Sequence, residues 1–193
     1  MDNLPVKVAI LVILLVCLYM FFESDYLNDV MMVQSKVDGN SYLVRNRPDA
    51  QRAADTLALL RKRLAEVVDA IYTEYPKDKR ARNLKRRFNP ERISESTPGT
   101  TYTSYSVNKG EKIVFCLRSK DEREDLHEFN MMLFVALHEL AHLATDSVGH
   151  TEEFWDNFRW ILTFALEKGY YKKQNFKANP QTYCGTRISD ELV

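Results

Sequence analysis

His138-Glu139-Leu140-Ala141-His142 constrains this 193-residue chain more than any other feature. Residues four apart on an α-helix lie one above the other, so two histidines at that spacing can turn both imidazoles onto one metal ion. The glutamate beside the first histidine is badly placed to join them as a ligand, but it can address a water held there. A hydrolytic zinc needs three protein ligands and one open position, and it lowers the pKa of its water to about 7. The pentapeptide therefore offers two ligands and a general base, Glu139, on condition that it is helical. Phe129, Leu133, Ala136, Leu137, Leu140 and Ala144 recur at helical spacing, which predicts a helix over about residues 123–145. A core helix with two incidental histidines is the competing description.

The third ligand has few candidates, because His127 and His150 are the only other histidines. His150 follows His142 after a polar stretch ending in Gly149, which breaks the helix and lets the chain turn back. Thr151 is a good N-cap for a second helix, and Glu152 and Glu153 in its first turn complement the helix dipole. His150 at that boundary is placed to swing onto the metal. Asp146, Glu152 and Glu153 compete more weakly, since carboxylate oxygens also bind zinc. A solvent-exposed loop histidine is the plain alternative for His150.

The run His138-Glu139-Leu140-Ala141-His142, followed by Gly149-His150-Thr151-Glu152-Glu153-Phe154-Trp155, resembles the signature of the WLM and SprT-like zinc metallopeptidases. The resemblance implies His138, His142 and His150 as zinc ligands, Glu139 as catalytic acid/base, and a small α+β zincin-like domain with a short antiparallel sheet. Tyr42-Leu43-Val44-Arg45, Ala53-Ala54-Asp55-Thr56-Leu57 and the stretch Tyr105 to Ile113 are also similar to compact members of this group, which occur in large DNA viruses and microbial eukaryotes. The loop from His142 to His150 is longer than the usual WLM spacing and shorter than the usual SprT one, so the subfamily stays open.

Val6 to Phe22 is seventeen residues with one charge, Lys7, near its edge. That is the short end of what spans a bilayer. A cleaved signal peptide is the rival, but Leu18-Tyr19-Met20-Phe21-Phe22 is bulky where a small-x-small cleavage site belongs. The expected organisation is an N-terminal membrane anchor at 1–22, a tether at 23–36 and a zincin-like domain at 37–193. Lys7 before the span, against Lys36 beyond it, mildly favours the domain on the non-cytoplasmic side. Cys17 lies in the span, and Cys116 and Cys184 can form one disulfide or stay reduced.

With 27 Lys plus Arg against 27 Asp plus Glu, the chain is not a polyelectrolyte. Residues 77–92 are a local exception, with eight basic residues against Asp78 and Glu91. They read either as a solvated helix face or as a contact for nucleic acid, anionic lipid or an acidic substrate. The nucleic-acid reading is not favoured, because a membrane anchor fits poorly with work on chromatin.

Ser41 to Arg45 alternates as a strand, and a helix runs from Pro48 to Pro76 with Ala53, Ala54, Leu57, Leu60, Leu64, Val67, Val68 and Ile71 on its core face. Asn108-Lys109-Gly110 between Thr100–Val107 and Glu111–Leu117 predicts a hairpin. The resemblance implies that the second of these strands lines the cleft and pairs with an extended substrate; an ordinary edge or central strand is the alternative. A helix over about Thr151 to Lys168 ends at Gly169. The tyrosine-rich tail after it wraps back over the domain, and Tyr183 or Tyr170 could donate to an oxyanion, although packing accounts for each as well. The leading expectation is a membrane-anchored zinc metallopeptidase acting on a peptide or protein substrate. A non-catalytic membrane-tethered metal-binding or structural module is the alternative, and a nucleic-acid-linked protease using residues 77–92 is the third.

Overall fold

The computed structural model describes residues 3–22, 29–97, 99–100, 102–189 and 192–193. The N-terminal apolar run is a helix, α1 (Leu4–Phe22), whose 19 residues extend about 28 Å at 1.5 Å per residue. None of its apolar window Leu4–Phe21 is buried in the fold, and it is long and apolar enough to cross a membrane.

The second half of the stretch expected as a tether is structured. Strand β1 (Val30–Gln34) pairs antiparallel with β2 (Ser41–Arg45), from Val30 opposite Arg45 to Gln34 opposite Ser41. Tyr42 and Val44 of β2 are buried, whereas β1 shows no clean alternation that would mark it in sequence. Helix α2 (Ala50–Glu74) buries the whole apolar stripe from Ala53 to Ile71 and stops just before Pro76. Its leading Asp49 makes no side-chain cap and instead pairs with buried Arg118 at 2.7 Å. The basic segment becomes a short helix, α3 (Lys79–Arg87), capped by the Asp78 carboxylate, which accepts from the Arg80 backbone N–H.

The central sheet corrects the expectation of a purely antiparallel one. Its strands β3 (Ile93–Glu95), β4 (Tyr105–Val107) and β5 (Lys112–Phe115) lie in the order β3-β5-β4. β4 and β5 form the expected antiparallel hairpin, and β3 joins the other side of β5 in parallel. The hairpin turn takes three successive left-handed residues, Asn108 (φ 45°), Lys109 (φ 57°) and Gly110 (φ 106°). Glycine is required at the last, because a Cβ there would lie 2.3 Å from the Arg87 carbonyl oxygen.

Helix α4 (Phe129–Ala144) starts later than its apolar pattern suggests. Residues 120–123 form a turn, Glu124 is left-handed (φ 51°) and Arg118 bridges Leu126, so the helix begins only where the Glu128 carboxylate caps the Met131 N–H. Most of α4 is buried, packed against α2, α3 and α5 (Glu152–Glu167). The Thr151 hydroxyl caps α5, and Gly169 (φ 72°) follows its end. The tail forms a small hairpin, β6 (Gln181–Tyr183) and β7 (Thr186–Ile188). A disulfide between Cys116, just beyond β5, and Cys184 in the turn of that hairpin fastens the tail to the sheet.

Candidate metal centre

His138 and His142 stand one turn apart on α4, with ring centroids 5.0 Å apart. The helix ends at Thr145, which turns extended and donates its hydroxyl to the Ala141 carbonyl at 2.7 Å. Gly149 (φ 84°) then reverses the chain. This brings the His150 ring 4.9 Å from that of His138 and 5.0 Å from that of His142. The facing Nε2 atoms of His150 and His138 are 3.0 Å apart. All three ligand nitrogens lie within 4.8 Å of one another, and among the described residues no other group of three histidines, cysteines or carboxylates gathers so closely.

Phe154 is the platform beneath them. Fully buried on the first turn of α5, its ring lies 4.8, 4.3 and 4.7 Å from those of His138, His142 and His150. Trp155 packs against His150 from outside, at 5.6 Å. In sequence Phe154 stands out only as part of the run from Gly149 to Trp155; the signal for its place beneath the histidines is its position one helical turn after His150.

Burial holds the His138 imidazole down at about 3, with His142 and His150 adding to the effect. Burial likewise holds His142 down at about 4, helped by His150 and Lys109. Both rings are therefore neutral near pH 7, with lone pairs free to ligate. Glu139, 2 % exposed, is pushed up to about 8 by burial, against the pull of the Ser106 backbone N–H. Its buried Oε2 has no hydrogen-bond partner. Converging neutral imidazoles beside a buried, half-satisfied carboxyl fit a divalent first-row metal ion and a water.

The cluster lies in a cleft of about 830 Å³. Phe134, Val135 and Phe158 line it together with Tyr183 and residues 186–188 of the β6–β7 hairpin and residues 102–106. This relocates the expected pairing strand. β5 is central, with partners on both sides, so the sheet edge beside the cleft belongs to β4, where the Glu139 carboxyl already accepts from the Ser106 backbone N–H.

Other candidates fall outside the cluster. Asp146 is engaged by Lys79 at 2.6 Å and Arg87 at 2.7 Å, and the Glu153 carboxylate accepts from the Asp146 and Ser147 backbone N–H groups. Glu152 is an exposed first-turn residue of α5 and does not join the histidines. Tyr170 does not line the cleft; its ring faces Arg63 and its carbonyl accepts from that side chain. Tyr183 does line it, but its hydroxyl is buried and bonded to the Cys116 carbonyl at 2.5 Å and to Ser104 Oγ at 2.8 Å. Within the basic segment, Lys79, Arg80, Lys85 and Arg87 pair with Asp146, Asp78, Asp69 and Asp146.

The sequence pattern of the WLM domain matches residues 39–192. An uncharacterized protein of Acanthamoeba polyphaga mimivirus is 33 % identical over 189 residues, covering 95 % of this chain and 94 % of its own length. An uncharacterized protein of Invertebrate iridescent virus 6 is 33 % identical over 82 residues, 42 % of this chain and 44 % of that protein. A protein of Invertebrate iridescent virus 3, also uncharacterized, is 33 % identical over 81 residues, 42 % and 48 % of the respective chains. No solved structure matches the chain.

Proposed function

The chain belongs to the WLM family of zincin-like metallopeptidase domains, and from that premise we propose that it is a membrane-anchored, zinc-dependent metallopeptidase. The observation that carries the proposal is the convergence of three imidazoles beside the buried Glu139 carboxyl in a cleft bordered by the edge strand β4. His138, His142 and His150 would hold the ion. Zinc, when bound, supplies a Lewis acid that polarises a carbonyl and acidifies water toward pH 7.

The remaining work falls to the chain. An extended peptide lies along the edge of β4 and bonds the backbone groups that Glu139, which holds the Ser106 N–H, leaves available there, which sets its scissile carbonyl over the histidines. Phe134, Val135 and Phe158 exclude bulk water and take up apolar side chains. Glu139 accepts the proton of the attacking water and delivers it to the leaving amine, from a place directly after His138 on the helix that carries two of the three histidines. Glu139→Gln should keep zinc and lose hydrolysis of a casein or peptide-library substrate by at least about a hundredfold. Undiminished cleavage by that variant would remove Glu139 from the mechanism.

Anchoring rests on α1, and the disulfide supports a side. Structural disulfides persist in oxidising compartments, which favours the domain on the non-cytoplasmic face. In sealed microsomes, added protease should leave the domain intact until detergent is supplied. Digestion without detergent would reverse the orientation.

A further inference from the structure

The loop that carries His150 is held from outside by the turn of the β4–β5 hairpin. Lys109, in that turn, donates from Nζ to the Thr145 carbonyl at 2.9 Å and to the Ser147 carbonyl at 2.5 Å. From the other side, Arg87 at the end of α3 donates to the Leu143 and Thr145 carbonyls and pairs with Asp146. These carbonyls are the ones a helix C-terminus leaves without partners, and a cation is the favoured cap there. The hairpin turn, α3 and the end of α4 are pressed together at Gly110, where a Cβ would meet both the Arg87 carbonyl and Leu143.

Arg87 of the basic segment and Lys109 of the hairpin turn thus share a task at the end of α4. Arg87 fixes where α4 stops, and Lys109 fixes where the chain goes next, three residues before His150. Lys109 also lines the cleft and stands two residues beyond the edge strand β4. No other side chain joins that edge strand's turn to the ligand loop among the hydrogen bonds of the described residues.

We infer that Lys109 is a positioning residue: it ties the substrate-binding edge to the His142–His150 loop and sets His150 against His138 and His142. The inference rests on the proposed metal site for its consequence, but the geometry it concerns exists without metal. Side chains that orient metal ligands typically alter affinity 10–100-fold when removed. Arginine at this position keeps a cation and donors for both carbonyls, whereas methionine keeps the length and loses both.

The test uses the full chain in detergent micelles. Zinc affinity is measured for the parent, Lys109→Met and Lys109→Arg, alongside the through-space NMR contact between the His138 and His150 rings in metal-free protein. Lys109→Met should weaken zinc at least about tenfold and lose the ring contact while its circular dichroism stays that of the folded parent, and Lys109→Arg should restore most of both. Equal zinc affinity and an intact ring contact in Lys109→Met overturn the inference while leaving the metal site standing. If the parent binds no zinc, the metallopeptidase reading fails and the ring contact alone decides: lost in Lys109→Met it upholds the positioning role, retained it ends it.

Discussion

Glu139 occupies a place where an ionised carboxylate is costly, and that cost has a measurable pH signature. In metal-free folded protein its carboxyl holds a proton up to about 8, whereas the unfolded chain releases it near the ordinary 4.5. The folded state binds the extra proton between those values, so stability falls as pH rises through that window. His138 and His142 act in the opposite sense, because the unfolded chain protonates them near 6.5 and the folded chain only at about 3 and 4. Their contribution is lost as pH falls below about 6.5. Glu139→Gln removes the alkaline loss alone. Urea unfolding of metal-free parent and variant should show the variant's advantage growing by a few kcal/mol between about pH 5 and pH 8, at roughly 1.4 kcal/mol per pH unit; a constant difference would mean that Glu139 is hydrated. Phe154→Ala should cost about 3–5 kcal/mol and weaken zinc as well, since the ring supports all three imidazoles. The gathering of His138, His142 and His150 was legible because short-range spacing and a glycine break encode it. Phe154 and Lys109 were not, because their roles depend on which elements meet in space.

Elements show the same division. α2, α4 and α5 declare themselves through apolar periodicity, and the β4–β5 hairpin through Asn108-Lys109-Gly110. β3, β6 and β7 are three residues each, too short for an alternation to register. The parallel pairing of β3 with β5 is a non-local choice that no window of sequence contains. Gly110 gives this level a sharp test. Gly110→Ala combines a positive φ with a Cβ at 2.3 Å from a backbone oxygen, so it should destabilise by about 2 kcal/mol or more in urea unfolding. A neutral result would show that the hairpin turn does not press on α3. The disulfide closes a loop between residues 68 apart, and Cys116→Ser with Cys184→Ser should cost about 2–4 kcal/mol.

For the molecule as a whole, the apolar N-terminal helix and the folded domain obey different solvents. α1 offers no polar face, and β1 belongs with the domain because Val33 packs on its core. A fragment from residue 29 should therefore be soluble and folded, while one from residue 37 should melt lower and associate through the uncovered edge of β2. Equal melting of the two fragments would return β1 to the role of a tether. The central proposal is that His138, His142 and His150, a cluster that could hold a metal ion, bind a catalytic zinc. Its most direct test is the metal content of the purified full chain beside His150→Ala. Near-equimolar zinc in the parent, sharply reduced in a folded variant, is the result expected; a folded parent that takes up no zinc when supplied with it would contradict the account.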